Sequence, residues 1–172
     1  PLGNVTTHVL DAKQHRVATT DALGRTTTFA YDSRDHLVQT TFDDGTEKTA
    51  TYDLAGRKSA ETDQAGRTAT FAYDGAGHLT SVTDAAGQVT AYDWDAQGNL
   101  VAITDANGHT TTMQYDALGR MTLRTRPLGQ SESFLHDAAG NVVKHTAFDG
   151  RVTTFTYDAD NRQVSRTLPG GS

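Results

Sequence analysis

The sequence contains no cysteine, which removes disulfides, thiolate metal sites and a cysteine nucleophile together. The compartment stays open, because a secreted protein need not use disulfides. Hydrophobic residues are also scarce, at 35% of 172, with a mean hydropathy of −0.56, so a thick two-layered core would be short of material. A single sheet needs less. No apolar stretch approaches the roughly 20 residues that span a bilayer, and no charged-then-apolar leader stands at the start. Basic residues are outnumbered, 15 Lys and Arg against 21 Asp and Glu for a net charge of −6. That balance argues against binding a nucleic-acid backbone, and the absence of long like-charge blocks argues against an acidic disordered tail.

What the chain does have is self-similarity. Gly3, Gly24, Gly45, Gly66, Gly87, Gly108, Gly129 and Gly150 are spaced 21 residues apart. So are Asp11, Asp32, Asp53, Asp74, Asp95, Asp116, Asp137 and Asp158, and Thr20, Thr41, Thr62, Thr83, Thr104, Thr125, Thr146 and Thr167. The residue before each Asp is Leu10, Tyr31, Tyr52, Tyr73, Trp94, Tyr115, His136 or Tyr157. The unit approximates DxxGxxTTxxYDxxGxLxxxT, and residues 1–172 read as a single array of eight such repeats. Both ends look cut: Pro1-Leu2-Gly3 enters inside a unit, and Leu168 to Gly171 opens a ninth. An array that continues on both sides is expected, because repeats bury their faces on neighbours and close with atypical caps.

Each unit carries two turn signals, one DxxG at its start and one after the aromatic, where Asp can form an Asx-turn and Gly can take positive φ. Two turns per unit mean hairpins. The intervening runs, such as Thr26 to Tyr31 and Val152 to Tyr157, are rich in Thr, Val and aromatics with period-two alternation, which reads as strand. The expected fold is therefore all-β: a meandering antiparallel sheet of sixteen strands that twists, coils or closes, with open strand edges that favour self-association. If the turn after the aromatic is a three-residue loop with a Gly bulge, Tyr73 faces Leu79, Phe71 faces Ser81, Tyr115 faces Met121 and Met113 faces Leu123. With four-residue loops at the other turn, Tyr31, Leu37, Phe71, Tyr73, Leu79, Tyr92, Trp94 and Leu100 share one face. Thr28, Thr70, Ala72, Val38, Val101 and Thr112 collect on the other.

The columns limit the chemistry. Eight Asp in register invite a calcium ladder, yet equivalent residues lie two strands apart, about 9.6 Å, too far for adjacent carboxylates to share an ion. They read as turn caps. The aromatic column, opposite Leu and Met, reads as an internal packing ladder rather than a sugar-stacking platform. His15, His36 and His78 occupy one column with Arg57, Arg120, Arg162, Asn99 and Asn141, a mixture expected of a solvated turn flank. No HExxH or comparable pair is present. Catalytic triads are singular departures from a pattern, and the departures here, His136 for Tyr, Arg126-Pro127 for Asp-Ala and Asn161 or Asp35 for Gly, do not assemble acid, base and nucleophile. The residues singled out are structural columns: Gly24, Gly45, Gly66, Gly87, Gly108, Gly129 and Gly150; Tyr31, Tyr52, Tyr73, Trp94, Tyr115 and Tyr157; Asp32, Asp53, Asp74, Asp95, Asp116 and Asp158. No catalytic residue, metal or cofactor is expected.

The motif YDxxGRL, seen as YDALGRM (Tyr115 to Met121), YDLAGRK (Tyr52 to Lys58) and YDGAGHL (Tyr73 to Leu79), resembles the YD or Rhs repeat over nearly the whole chain. Its Ala- and Arg-rich form is more similar to bacterial Rhs proteins than to the animal teneurins. The resemblance implies a section of a hollow β-shell that spirals around a cavity and, in Rhs and Tc toxins, encloses a toxic C-terminal region. The implied partners are neighbouring repeats and an enclosed toxin domain; the implied location is secreted or at the surface of a bacterium. The family's shell ends in an aspartyl autoproteolysis motif, whereas Arg126-Pro127-Leu128-Gly129 has Arg where that motif needs Asp. A cell-surface module that binds carbohydrate or protein through the aromatic stripe is the alternative reading.

Overall fold

A computed structural model describes residues 5–170; the expectations placed on Pro1, Leu2, Gly3 and Gly171 fall outside them. Sixteen strands follow one another: β1 (Thr7–Leu10), β2 (Arg16–Thr20), β3 (Thr26–Tyr31), β4 (Leu37–Thr41), β5 (Glu47–Tyr52), β6 (Lys58–Thr62), β7 (Thr68–Tyr73), β8 (Leu79–Thr83), β9 (Val89–Trp94), β10 (Leu100–Thr104), β11 (Thr110–Tyr115), β12 (Met121–Thr125), β13 (Ser131–His136), β14 (Val142–Thr146), β15 (Val152–Tyr157) and β16 (Gln163–Thr167). They form one antiparallel meander in which sheet order equals chain order. No helix occurs among the described residues, and so none is long and apolar enough to cross a membrane. The chain divides into two compact units, one running to Tyr73 and adding Ser81–Gln88, the other comprising Asp74–Thr80 and everything from Val89. The same hairpin recurs in each.

Alternation makes strands of these segments, and turn chemistry closes them. At the aromatic turn the Asp32 N–H donates to the His36 carbonyl at 2.9 Å and the Asp35 N–H to the Asp32 carbonyl at 3.1 Å. At the other turn, Asp84 and Gln88 repeat the first bond at 2.9 Å, and Gly87 and Asp84 the second at 3.0 Å. The two turns are thus alike, against the expectation of loops of different length. What differs is an extra residue just beyond the aromatic turn. Tyr31 faces Leu37 but Ala30 faces Gln39; Tyr115 faces Met121 but Gln114 faces Leu123. The skipped residue makes a β-bulge.

That bulge overturns one expected pair. Met113 faces Arg124 rather than Leu123, because a single extra residue past the turn exchanges the faces of everything after it. Tyr115 and Met121 pair as expected, as do Trp94 and Leu100. Burial is shallow: among the described residues only Met113, 6% exposed, is a buried apolar side chain, and Glu132, 7% exposed, a buried charged one. With so little core, the backbone ladder and cross-strand pairs must carry much of the stability. Part of that work falls to the Thr column. Its hydroxyls bond across the strand ends beside the second turn, Thr20 to Thr26 at 2.9 Å, Thr62 to Thr68 at 2.8 Å and Thr104 to Thr110 at 2.9 Å.

Candidate functional site

The chain's repeated chemistry lies where one hairpin meets the next, beginning with the Asp column. Asp32 Oδ1 accepts the N–H groups of Arg34 at 2.8 Å and His36 at 3.0 Å, while Oδ2 accepts His36 Nδ1 at 3.0 Å. Asp53 does the same with Ala55, Arg57 and the Arg57 Nε. Asp95 does so with Gln97, Asn99 and the Asn99 amide. His, Arg and Asn interchange in this column because each offers a nitrogen donor at the same reach. One carboxylate therefore closes a turn and aims the side chain four residues on.

That side chain lies flat on the aromatic ring of the following unit. His15 stacks on Tyr31 with centroids 4.7 Å apart, His36 on Tyr52 at 4.5 Å and His78 on Trp94 at 4.8 Å, while the Arg57 guanidinium sits 4.6 Å over Tyr73. The histidines are not a solvated flank. Their positions are fixed by an Asp on one edge and a ring on the face, a pairing between residues 16 apart that inspection of one unit cannot reveal. Each ring in turn reaches back to its neighbour's backbone. Tyr31 donates to the Arg16 carbonyl at 3.1 Å, Tyr52 to Leu37 at 3.1 Å, Tyr73 to Lys58 at 3.0 Å and Trp94 to Leu79 at 2.8 Å. Tyr115 donates to Leu100 at 2.9 Å and Tyr157 to Val142 at 3.0 Å. At Tyr31, Tyr52, Tyr73 and Trp94, Asp, donor, ring and carbonyl thus form one complete circuit.

Glycine is required where this circuit is tight. Gly56 and Gly98 have φ of +79° and +83°, and a Cβ there would lie 3.1 Å from His36 Nε2 and 3.2 Å from His78 Nε2. Gln14, Asp35 and Asn161 hold the equivalent left-handed conformation without glycine.

The turn carboxylates are more acidic than an ordinary aspartate. The backbone N–H of residue i+4 is the chief cause that holds Asp32, Asp53, Asp116 and Asp158 below the ordinary 3.8, with the side-chain donor adding to it. Asp32 falls to about 2. A carboxyl whose pKa is depressed on folding stabilises the fold above its unfolded value, and that stability is lost as pH falls through the folded value. The urea midpoint should therefore hold down to the ordinary 3.8 and decline steadily from there toward about 2. A midpoint unchanged across that window would remove the turn carboxylates from the list of stabilising groups.

Two of the departures from the repeat, Arg126-Pro127 and His136, fall at the two ends of β13. His136 replaces the aromatic, and its Nδ1 is buried without a hydrogen-bond partner. Nearby on the Met113 face, Arg124 is ion-paired with Glu132 across β12 and β13, and Glu132 Oε2 lies 3.1 Å from His145 Nε2. His145 stacks on Phe134 at 4.7 Å with 8° between the planes. Arg126 lies 3.7 Å over the Phe148 ring. Among the described residues, no hydroxyl hydrogen-bonds to the Glu132 and His145 pair. Among the described residues, no three His, Asp or Glu side chains are placed to hold a metal.

A family model for the RHS repeat matches residues 11–47, 52–89, 73–110, 94–131 and 136–172. The chain belongs to the RHS repeat family. No curated protein matches it. Among solved structures, the Rhs-repeat sheet resembles the crystal structure of TcdB2–TccC3–Cdc42, with TM-score 0.77, 20% identity, and coverage of 92% of this chain and 10% of that one. It also resembles the Tc holotoxin pore of Photorhabdus luminescens, with TM-score 0.76, 21% identity, and coverage of 94% and 10%. A third likeness is TcdB2–TccC3 without its hypervariable C-terminal region, again at 0.76 and 21%, over 92% and 10%. Identity this low speaks for the fold, and this Rhs-repeat chain spans about a tenth of those chains' length.

Proposed function

We propose that this Rhs-repeat array, residues 1–172, is a section of wall in a bacterial toxin shell, secreted or displayed at the cell surface, that helps to enclose a C-terminal toxin domain. The observation that carries this reading is a contact repeated from seam to seam. Six units join to their neighbour by the same ring-to-carbonyl bond, an arrangement suited to a continuous surface rather than to a singular site. The likeness to TcdB2–TccC3, one of whose structures lacks a hypervariable C-terminal region, supports the same reading. The six rings spend their polar atoms on neighbouring hairpins, and four of them also give up a face, so nothing specific favours a sugar-binding stripe. The wall itself does no chemistry; its Asp, Gly and aromatic columns hold it closed.

Limited proteolysis of the full-length parent tests the proposal. Protection of this segment and of the domain that follows it, lost together on denaturation, is the expected result. Rapid cutting throughout the segment with the following domain accessible would overturn it.

A further inference from the structure

A repeat array has a specificity problem that its columns do not solve. A hairpin moved by one whole unit finds the same Asp, Gly, Thr and aromatic contacts, so two copies can exchange equivalent hairpins at little cost, the route by which repeat proteins misassemble. Something must distinguish one unit from another.

The row across β12, β13 and β14 has the required properties. Glu132 is the sole carboxylate in its column, where Thr6, Thr27, Lys48, Ala69, Thr90, Thr111 and Thr153 stand in the other units. It is 7% exposed and finds Arg124 on one side and His145 on the other. Joined instead after β10 of a second copy, Glu132 would face Ile103; joined after β14, it would face a second His145. Both exchanges take a buried carboxylate away from its guanidinium, which is strongly disfavoured, whereas apolar replacement of the whole row is tolerated. The row also lies at the seam where His136 offers no ring-to-carbonyl bond and leaves its Nδ1 unpartnered.

We propose that Arg124, Glu132 and His145 form a register key, which ties β12, β13 and β14 of one chain together and rejects a β13 joined after β10 or β14 of another; only β16, where Arg166 stands in the Arg124 column, offers a second guanidinium. A buried polar group that fixes register at no gain in stability is the best-attested use of such groups.

The test labels two populations of the 172-residue chain with donor and acceptor dyes and compares energy transfer after unfolding and refolding them together with that after mixing them already folded. The difference reports strand exchange and cancels any association through open edges. Arg124→Ile/Glu132→Thr/His145→Val takes its residues from equivalent positions, Ile103, Thr111 and Val82, and should fold while raising the difference severalfold. Glu132→Gln, which keeps the shape and loses the charge, should raise it as well, and Arg124→Lys should stay near the native value. If Glu132→Gln and the triple variant both exchange no more than the native chain, the row is not a register key.

Discussion

Trp94→Ala is expected to lower the stability of the chain by about 3 kcal/mol, near the lower end for loss of a large aromatic because the ring is only half-buried. The substitution acts on three contacts at once. His78 loses the plane on which it stacks, the Leu79 carbonyl loses its indole donor, and Leu100 loses its cross-strand neighbour. Tyr115→Phe removes only the hydroxyl that meets the Leu100 carbonyl and should cost about 1 kcal/mol. Trp94→Tyr, which installs the residue of most other units, should cost less than about 1.5 kcal/mol, because a tyrosine hydroxyl meets the equivalent carbonyl in those units and the ring is kept. Leu54→Ala, at a side chain 97% exposed on a turn, is the control and should be near zero. Urea unfolding followed by circular dichroism gives all four values, since Trp94 is the only tryptophan and its fluorescence is lost with it. Equal costs for Trp94→Ala and Leu54→Ala would mean that the aromatic column does not hold the array together.

Arg124→Ala should cost about 3 kcal/mol, for an electrostatic reason: it strands a buried carboxylate. Glu132, 7% exposed, would be left with His145 alone. Replacing the carboxylate itself by the residue its column favours, Glu132→Thr, removes the need for a partner and should stay within about 1 kcal/mol of the native chain. The asymmetry is the measurement that matters. Similar losses for the two variants would indicate packing rather than charge, since Arg124 also lies 5.2 Å over the Phe148 ring.

Much of the fold could be read from the sequence because its signals are local and repeated eight times. Asp and Gly at fixed offsets give turns, Thr, Val and Tyr at alternate positions give strands, and a period of 21 residues forces consecutive hairpins; sheet order then follows from short loops. The aromatic and Asp columns were visible for the same reason. Their partners were not. The bond from Tyr52 to the Leu37 carbonyl and the stack of His36 on Tyr52 join residues 15 and 16 apart, and a column in a sequence does not say what lies beside it in the sheet.

The Arg124, Glu132 and His145 row was hidden by a different cause. Counting residues through a hairpin cannot tell whether the extra one sits in the turn or just beyond it, and the two choices put opposite residues on a face. The bulge after Gln114 and Tyr115 sets Arg124 opposite Met113; the same shift after Leu135 and His136 sets His145 opposite Phe134. The sequence by itself determined the repeat, the hairpins and the turn chemistry, all of which depend on neighbours within a few residues. Only the tertiary structure decided which side chains meet across a seam, because a one-residue bulge, set by the backbone of paired strands, chooses the face.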